Sequence, residues 1–295
     1  MKFCCTLSFV NPEYYLDLAQ VGEEHSWDTF ALSDHLVNPD QIDAKYPYNQ
    51  DGSRMWTHET PWPDVWVATA AMAAVTRKLE FIQSVYVLPM REPFSVAKAL
   101  GTAALLSNYR VSLGLGLGWM HDEFEIIGHS FAGRGKRNDE MLEAMKLLWT
   151  GELVEYHGKH IDFPPLAMSP GMKGEIPIVV GGISEAAKRR TAKYGDGWAP
   201  AYLTVEQTRE GIQDIKTMQR EYGREDVDLK VYCACADAFD LDGFKRMEEA
   251  GVTHLLTTPW LFGKPVDYKD MVKAHPLETL KDGIRRFSDE IIAKM

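Results

Sequence analysis

The sequence predicts an α/β fold, namely a (β/α)8 or TIM barrel with one insertion near residues 151–175. Eight short apolar segments read as strands, and helical segments alternate with them along the 295 residues. Strands that are apolar along their whole length are typical of parallel strands buried on both faces. We expect a single domain, residues 1–295, because no long linker and no short internal repeat divides the chain. An open doubly wound sheet shows the same alternation and is the alternative fold.

The first half of the chain accounts for four of the eight strands. Strands are predicted over residues 2–9, 28–33, 79–88 and from 111 onwards, and helices over 13–25, 63–75, 94–107 and 133–149. The first helix follows Asn11-Pro12, and the fourth has apolar residues at helical spacing on one face. Residues 36–62, before the second helix, show neither the periodicity of a helix nor that of a strand. A loop of this length is usually functional or disordered, and its aromatic residues argue against disorder.

The second half begins with residues 151–175, a hairpin-like segment with a tail rich in proline and glycine, which we interpret as the insertion. Strands are then predicted over 176–180, 197–199, 229–236 and 252–257, and helices over 185–194, 204–222, 242–250 and 277–294. Ser184 is a suitable N-cap for the first of these helices, and Gly195 ends it. Thr204 and Gln207 form a predicted capping box at the start of the second.

The charge and the composition limit the partners and the compartment. A formal net charge of -11 argues against nucleic acid and anionic membranes as partners. No apolar run approaches the roughly 18 residues of a membrane span, and the N-terminus does not resemble a signal peptide. Cys4, Cys5, Cys233 and Cys235 lie in strand-like runs without metal-ligand spacing. We therefore expect reduced core cysteines in a cytoplasmic protein.

Residues 110–128 contain the most unusual pattern, because Gly114, Gly116 and Gly118 alternate with leucines along a strand. Since strand side chains alternate between faces, one face is bare, and a flat ligand or another backbone can approach it. The spacing G-x-G-x-G differs from the dinucleotide fingerprint G-x-G-x-x-G, and no acidic residue follows at the required distance. The pattern does not support a dinucleotide site. A glycine-rich strand packed against a large neighbour is the purely structural alternative.

In a TIM barrel, functional groups lie at the carboxyl ends of the strands. There the sequence offers Asp34-His35, Ser84-Val85, Arg91, residues 116–123, Gly181-Gly182, Ser184, and residues 196–200 and 257–260. His35 is a candidate acid or base. The turn Gly181-Gly182 opens a helix whose N-terminus suits a phosphate, although it is also an ordinary tight βα turn. Three consecutive basic residues on that helix would support an anionic tail or form a solvated face: Lys188, Arg189 and Arg190.

Several motifs, taken together, resemble one family. They are SDH at the end of strand two, IQSVYVLPMREP around strand three, RVSLGLGLGW with DEFEIIG after strand four, then GRGKRNDEMLEAMKLLW and IPIVVGG with AKYGDGWAP. These segments resemble the luciferase-like monooxygenase superfamily, and more narrowly its branch of oxidoreductases that use the deazaflavin coenzyme F420. The resemblance covers about residues 1–200, with a looser fit to the end of the chain.

The resemblance implies a TIM barrel that holds a deazaflavin or flavin at its C-terminal face, usually within a homodimer. It implies that Asp34 and His35 contact the ring, that His35 handles protons, and that Ser84 and Val85 form a bulge with a non-proline cis peptide under the ring. Further cofactor contacts are implied for Gly116, Leu117, Gly118 and Asp122, and a phosphate loop for Gly181 and Gly182. The sugar-phosphate dehydrogenases of this branch carry a glutamate where this chain has Trp119, which argues against sugar-phosphate oxidation.

The predicted function is hydride transfer between F420 and an apolar or aromatic organic substrate, without a metal ion. Residues 36–62 and 257–268 would form the substrate wall through Trp56, Trp62, Trp119 and Trp260, although these aromatic residues also suit loop packing. A monooxygenase or reductase that uses FMN is the close alternative. The remaining alternatives are a flavin-binding homologue without activity and a metal-dependent hydrolase or isomerase that uses Asp34, His35, Asp196 and His254.

Overall fold

Parallel strands close into a barrel of eight positions in the computed structural model, which describes residues 1–49, 51–263 and 268–295. The strands in chain order are β1 (Lys2–Thr6), β2 (Thr29–Leu32), β3 (Glu80–Gln83), β4 (Tyr86–Val87), β5 (Val111–Gly116), β6 (Val154–His157), β7 (Asp162–Leu166), β8 (Ile178–Gly181), β9 (Gly197–Ala199), β10 (Lys230–Cys233) and β11 (His254–Thr257). β3 and β4 share one position, and β6 and β7 pair only with each other. Neighbouring barrel strands pair in parallel, and β11 returns to pair with β1. This closure confirms the TIM barrel and excludes the open sheet.

Helices surround the barrel and connect its strands. They are α1 (Tyr15–Glu24), α2 (Val65–Ala74), α3 (Pro93–Leu106), α4 (His121–Ile126), α5 (Arg134–Trp149), α6 (Glu185–Tyr194), α7 (Val205–Glu221), α8 (Leu241–Glu249), α9 (Tyr268–Met271) and α10 (Leu277–Glu290). Strand side chains alternate, so one set fills the barrel and the other packs under the helices. Phe30 belongs to the outer set, because its ring packs against Gly22 of α1. The inner set forms a core of Cys4, Ala31, Ile82, Val179 and Tyr232.

The local capping signals agree with the structure. Ser184 caps α6 by accepting a hydrogen bond from Ala187 N, and Thr204 with Gln207 makes both hydrogen bonds of a capping box on α7. Several strands are shorter than predicted, although residues beyond their ends remain buried. Leu7, for example, is fully buried after the end of β1, and its amide still donates to Ala31 O of β2 at 2.8 Å.

The third barrel position differs from the continuous strand predicted over residues 79–88. β3 ends at Gln83, the Ser84-Val85 peptide bond is cis, and β4 resumes at Tyr86. The Ser84 amide donates to Leu32 O at 2.7 Å, so the chain stays attached to β2 while its direction changes. A bulge therefore replaces the middle of the strand, and its cis bond is the one that the resemblance implied.

The bare face of β5 is filled by the protein itself. A side chain on Gly114 would place its Cβ 1.7 Å from the Gln83 carbonyl oxygen, so this glycine permits the close approach of β3. A Cβ on Gly116 would lie 2.3 Å from the Val85 side chain, and one on Gly181 would lie 2.7 Å from it. Of the two possibilities that the sequence left open, a flat ligand or another backbone, the structure shows the β3 backbone at Gly114 and the Val85 side chain at Gly116. The cofactor contact implied for Gly116 stays a prediction.

Polar and aromatic side chains close the amino-terminal end of the barrel. Lys2 donates to Glu80 Oε1 at 3.0 Å, and the His254 ring stacks on Tyr232 with 3.9 Å between the ring centroids. Burial, assisted by the positive charges of Lys2 and Lys230, lowers the pKa of His254 to about 3. His254 is therefore a neutral structural residue at neutral pH.

Asp196 lies at this same end, and its expected place at the carboxyl end of a strand is wrong. It precedes β9, and its carboxylate accepts from Ile178 N, at the start of β8, at 3.0 Å. Asp34 and His35 follow β2 and lie at the opposite end. The barrel therefore separates the four residues of the metal-dependent alternative into two pairs.

The insertion forms the antiparallel hairpin of β6 and β7, which lies beside α5. Tyr156 of β6 donates to Glu143 Oε2 of α5 at 2.7 Å.

All four cysteines are buried and form no disulfide bond, as the sequence predicted. In the described part of the chain, no helix combines the length and the hydropathy that a membrane span requires.

We expect Gly114→Ala to destabilise the barrel, because its methyl group would overlap the Gln83 carbonyl. Overpacking costs about 1–3 kcal/mol, and a backbone obstacle gives way least. Gly101→Ala is the control, since the nearest atom would lie at an ordinary 3.4 Å and helices favour alanine over glycine. Urea unfolding measures both variants. A Gly114→Ala midpoint equal to that of the unchanged protein would contradict this packing.

We expect His254 to make the free energy of unfolding depend on pH. Between the unfolded pKa of about 6.5 and the folded pKa of about 3, the unfolded chain binds the extra proton. Stability therefore falls as the pH is lowered from 6.5, by up to about 1.4 kcal/mol per pH unit. In His254→Gln this contribution is absent. Urea unfolding at several pH values between 6.5 and 5 measures the slopes, and parallel slopes for the two proteins would show that His254 is not buried in its neutral form.

Candidate active site

The structure brings most of the predicted site residues to the carboxyl end of the barrel. They are Asp34, His35, Ser84, Val85, Gly116, Leu117, Gly118, Asp122, Gly181 and Gly182. The described residues of the segment 36–62 cross this end, because the ring of Tyr48 lies 5.0 Å from that of Tyr202, which follows β9 on the opposite side of the barrel. We call residues 36–49 and 51–62 the covering segment. Its position suits the predicted role as a substrate wall.

His35 is held by a buried glutamate to which the sequence assigned no role. Its Nδ1 atom lies 2.9 Å from Glu123 Oε2, and the side chains of His35 and Glu123 are 9% and 2% exposed. The other carboxylate oxygen accepts the backbone amides of Leu36 and Val37. Three hydrogen bonds therefore compensate for the burial of one carboxylate, which would otherwise be costly.

The contact with Glu123 determines which nitrogen of His35 is available for chemistry. An ionised carboxylate only accepts hydrogen bonds, so Nδ1 carries the hydrogen and donates it. Nε2 has no hydrogen-bond partner among the described residues, and in the neutral ring it holds the lone pair. His35 can therefore accept and return a proton at Nε2, while Glu123 orients the ring and stabilises its charged form.

The adjacent carboxylate, Asp122, fastens the covering segment to the start of α4. It accepts the amides of Asp43 at 2.7 Å and Ala44 at 3.1 Å. Burial acts to raise the pKa of Asp122, but the hydrogen bonds from Asp43 and Ala44, together with its own amide and the neighbouring His121, hold the pKa below its usual range. The contact of Asp122 with a cofactor stays a prediction. Its observed partners are two backbone amides of the covering segment and the ring of His121, whose Nδ1 lies 3.2 Å from Oδ2.

Asp34 is buried and forms a two-pronged ion pair. Both of its oxygens accept from the Arg91 guanidinium, at 2.7 and 2.8 Å, and Oδ2 also accepts Val87 N at 2.9 Å. Burial raises the pKa of Asp34, and the charge of Arg91 opposes that rise. The guanidinium lies 4.4 Å from the centroid of the Tyr86 ring. Asp34 thus ties the end of β2 to β4, which fixes the bulge relative to His35.

Hydroxyl groups support the bulge from inside the barrel. Thr6 Oγ1 lies 2.9 Å from Ser8 Oγ, Ser8 contacts Ser33, and Ser33 donates to the Ser84 carbonyl at 3.1 Å. Ser84 and Val85 are only half-buried. The bulge is therefore a supported surface that remains accessible at the mouth of the barrel.

Aromatic rings surround His35. The ring centroids of Trp62, Trp56 and Trp119 lie 4.9, 5.2 and 6.4 Å from that of His35. Two further rings complete this aromatic cluster, those of Phe9 and Tyr46. Three of the four tryptophans predicted to contact substrate therefore meet at the histidine, although they come from distant parts of the chain.

Trp260, the fourth predicted tryptophan, lies outside the aromatic cluster. It is buried after β11, and its backbone packs against Gly283 of α10. With Phe9 and Pro61 it lines a cavity of about 380 Å³ beside the cluster. Residues 264–267 of the predicted wall 257–268 lie outside the described residues.

The predicted phosphate turn has the expected local geometry. Gly182 has a φ of +112°, which favours glycine, and its carbonyl accepts from Trp198 Nε1 at 2.8 Å. The basic residues of α6, for which the sequence left an anionic tail or a solvated face open, are each paired with a carboxylate on α5 or α7. The pairs are Lys188 with Asp214, Arg189 with Glu221 and Arg190 with Asp139.

No group of three metal-ligating side chains exists within residues 1–49, 51–263 and 268–295. The sequence pattern alone assigns no role to Glu123 or Arg91. The available signal was the pair Asp122-Glu123 in the first turn of a helix directly after a barrel strand, where carboxylates are favoured and functional groups collect.

Comparison with known proteins gives a consistent result. The family model described as luciferase-like monooxygenase matches residues 4–278. An uncharacterized protein of Mycobacterium tuberculosis is 34% identical over 295 residues, which is 100% of both chains.

Two solved structures share the fold over the whole chain. An F420-dependent secondary alcohol dehydrogenase has a TM-score of 0.76 at 16% identity, covering 100% of each chain. The FMN-bound oxygenating component of a Baeyer-Villiger monooxygenase of Pseudomonas putida has a TM-score of 0.72 at 16% identity, covering 100% of this chain and 99% of that one. With the family match over most of its length and a full-length relative at 34% identity, the chain belongs to the luciferase-like monooxygenase family.

Proposed function

We propose that this protein is an oxidoreductase that transfers a hydride between coenzyme F420 and a small organic substrate. The observation that carries the proposal is His35, whose Nδ1 is held by buried Glu123 while Nε2 has no hydrogen-bond partner in the described part of the chain, beside the bulge at the mouth of the barrel. A positioned base next to an accessible flat surface is what a hydride transfer coupled to a proton transfer requires.

The residues present fit a flat ring with a phosphate-bearing tail. Ser84 and Val85 form a rigid, half-buried platform that the hydroxyl chain and two glycines support from below. Gly118 and Leu117 continue this surface at the end of β5. Gly181 and Gly182 precede the N-terminus of α6, whose free amides suit a phosphate.

When bound, the deazaflavin supplies the hydride chemistry. The chain supplies binding, orientation and proton handling. His35 Nε2 takes or returns the proton of the reacting group, and Glu123 keeps the ring in the required orientation. The covering segment, fastened through Asp122, shields the site from water.

Binding titrations test the cofactor. We expect oxidised F420 to change its fluorescence saturably when the protein is added, and FMN to show no saturable binding. Gly101→Ala, on α3 away from the mouth, is the control and should bind F420 unchanged. Tight binding of FMN without binding of F420 would make the FMN-dependent monooxygenase or reductase the correct assignment.

We expect Glu123→Gln to reverse the tautomer of His35. If the glutamine oxygen keeps the amides of Leu36 and Val37, its NH2 group donates to Nδ1 and the ring hydrogen moves to Nε2. Turnover should then fall about 100- to 10,000-fold, the usual contribution of a general base. Nitrogen-15 NMR of the histidines measures the tautomer directly. Glu125→Gln, at an exposed position of the same helix, is the control, and an unchanged His35 tautomer in Glu123→Gln would refute this role.

The homodimer and the cytoplasmic location stay predictions. The outer face of α2 is a suitable surface for a second copy, because Val67 is 70% exposed and Ala71 and Ala74 beside it are also exposed. Leu106, on the neighbouring α3, is 69% exposed. Exposed apolar patches of this kind are typical of protein interfaces.

A further inference from the structure

The sequence C-A-C at the end of β10 brings two thiols into contact. The Sγ atoms of Cys233 and Cys235 lie 3.6 Å apart, and both side chains are buried. Residues two positions apart in an extended segment point to the same side, which explains why the sulfurs meet. The proposed function assigns no role to this pair.

Cys4 and Cys5 show that burial alone does not produce such a pair. They are adjacent on β1, so their side chains point to opposite sides of the strand. Cys4 belongs to the inner core of the barrel, and Cys5 packs under the helices. Burial raises the pKa of both thiols, so both stay protonated and unreactive at neutral pH.

The surroundings of Cys235 favour its thiolate form. Its sulfur lies 3.6 Å from Thr208 Oγ1, in the first turn of α7. The contact with Cys233 lowers the pKa of Cys235. The charge of Arg246 acts in the same direction, while burial and Asp237 oppose it. Thiols that ionise readily beside a helix N-terminus or a cation are the reactive ones in proteins.

Cys233 has the opposite properties. The contact with Cys235, together with burial, raises the pKa of Cys233, and its side chain is fully buried. Cys235 is 4% exposed and lies between the exposed residues Ala234 and Ala236. One thiol therefore ionises more readily near the surface, and the other stays protonated behind it. An attacking and a resolving cysteine differ in this way.

The backbone after this pair is connected to the cover of the barrel mouth. Ala236 N donates to Leu203 O at 2.8 Å. The residue before Leu203 is Tyr202, whose ring lies 5.0 Å from that of Tyr48 in the covering segment. A movement of residues 234–236 therefore changes the position of the loop that contacts the covering segment.

We propose that Cys233 and Cys235 form a reversible disulfide bond, with hydrogen peroxide as the oxidant, and that this bond loosens the covering segment. The Cys235 thiolate attacks one peroxide oxygen, the O–O bond breaks, and hydroxide leaves, so that the sulfur becomes a sulfenic acid. The Cys233 sulfur then attacks the Cys235 sulfur and expels its hydroxyl group, which leaves with the Cys233 proton as water. In total, two thiols lose two hydrogen atoms and one peroxide is reduced to two molecules of water.

Bond formation requires the two sulfurs to approach from 3.6 Å to about 2 Å. The backbone between them must contract, which we expect to draw Ala236 away from Leu203 and so to weaken the contact of Tyr202 with Tyr48. The inference does not depend on which cofactor binds, because each step uses only this chain and the peroxide.

The reduced full-length protein, treated with a small excess of hydrogen peroxide without denaturant, tests the inference. We expect two of the four thiols to disappear, peptide mass spectrometry to show a bond between Cys233 and Cys235, and dithiothreitol to restore both thiols. Cys4 and Cys5 should stay reduced. Cys233→Ala lacks the resolving thiol, so dimedone should trap a sulfenic acid at Cys235. Cys235→Ala should lose no thiol.

Limited digestion with trypsin measures the covering segment, which contains Lys45 and Arg54. We expect cleavage after these residues to be about three- to tenfold faster in the oxidised protein, the effect of one lost hydrogen bond on local opening. Cleavage after Lys159, at an exposed position between β6 and β7, is the control and should not change. In Cys235→Ala, peroxide should leave all of these rates unchanged.

Four free thiols after peroxide treatment would overturn the inference, and so would equal oxidation of Cys4 and Cys5, because the pair would then have no special reactivity. A sulfinic acid at Cys235 without a disulfide bond would show that Cys233 does not act as the resolving thiol. A disulfide bond that leaves cleavage after Lys45 and Arg54 unchanged would overturn the effect on the covering segment.

Discussion

A single buried carboxylate, that of Glu123, sets the geometry at the mouth of the barrel. Burying this charge is tolerated only because His35 Nδ1 and the amides of Leu36 and Val37 donate to it. The same three hydrogen bonds orient the histidine and start the covering segment in a defined direction. Asp122 fastens that segment a few residues later. The positions of Trp56 and Trp62 beside His35 depend on both attachments.

Beneath this site, packing explains the glycines that dominate the sequence pattern. Gly114 lets the backbone of β3 approach β5, and Gly116 with Gly181 accommodates the Val85 side chain. The glycines therefore stabilise the bulge, and the bulge offers the accessible surface. A ring bound at this site would lie on Ser84 and Val85, one layer above Gly114 and Gly116, whose strand face the sequence left open to a flat ligand or another backbone.

The barrel was predictable because its signals are local. Apolar strand segments, the Ser184 N-cap and the Thr204 capping box each involve neighbouring residues. The contacts of the site were less predictable from the sequence. His35 and Glu123 are 88 residues apart, and no motif in the sequence connects the two. A glycine in a strand predicts that another group approaches closely, but it does not identify the atoms of that group. The basic residues of α6 likewise have their acidic partners on other helices.

The most direct test of the account is a crystal structure of the protein grown with oxidised F420. We expect the deazaflavin ring to lie against Ser84 and Val85, with the phosphate at the turn Gly181-Gly182. Nε2 of His35 should face the ring or the space directly above it, with Nδ1 still bonded to Glu123. A ring bound away from the bulge, or a His35 whose Nε2 is bonded to Glu123, would contradict the proposed site.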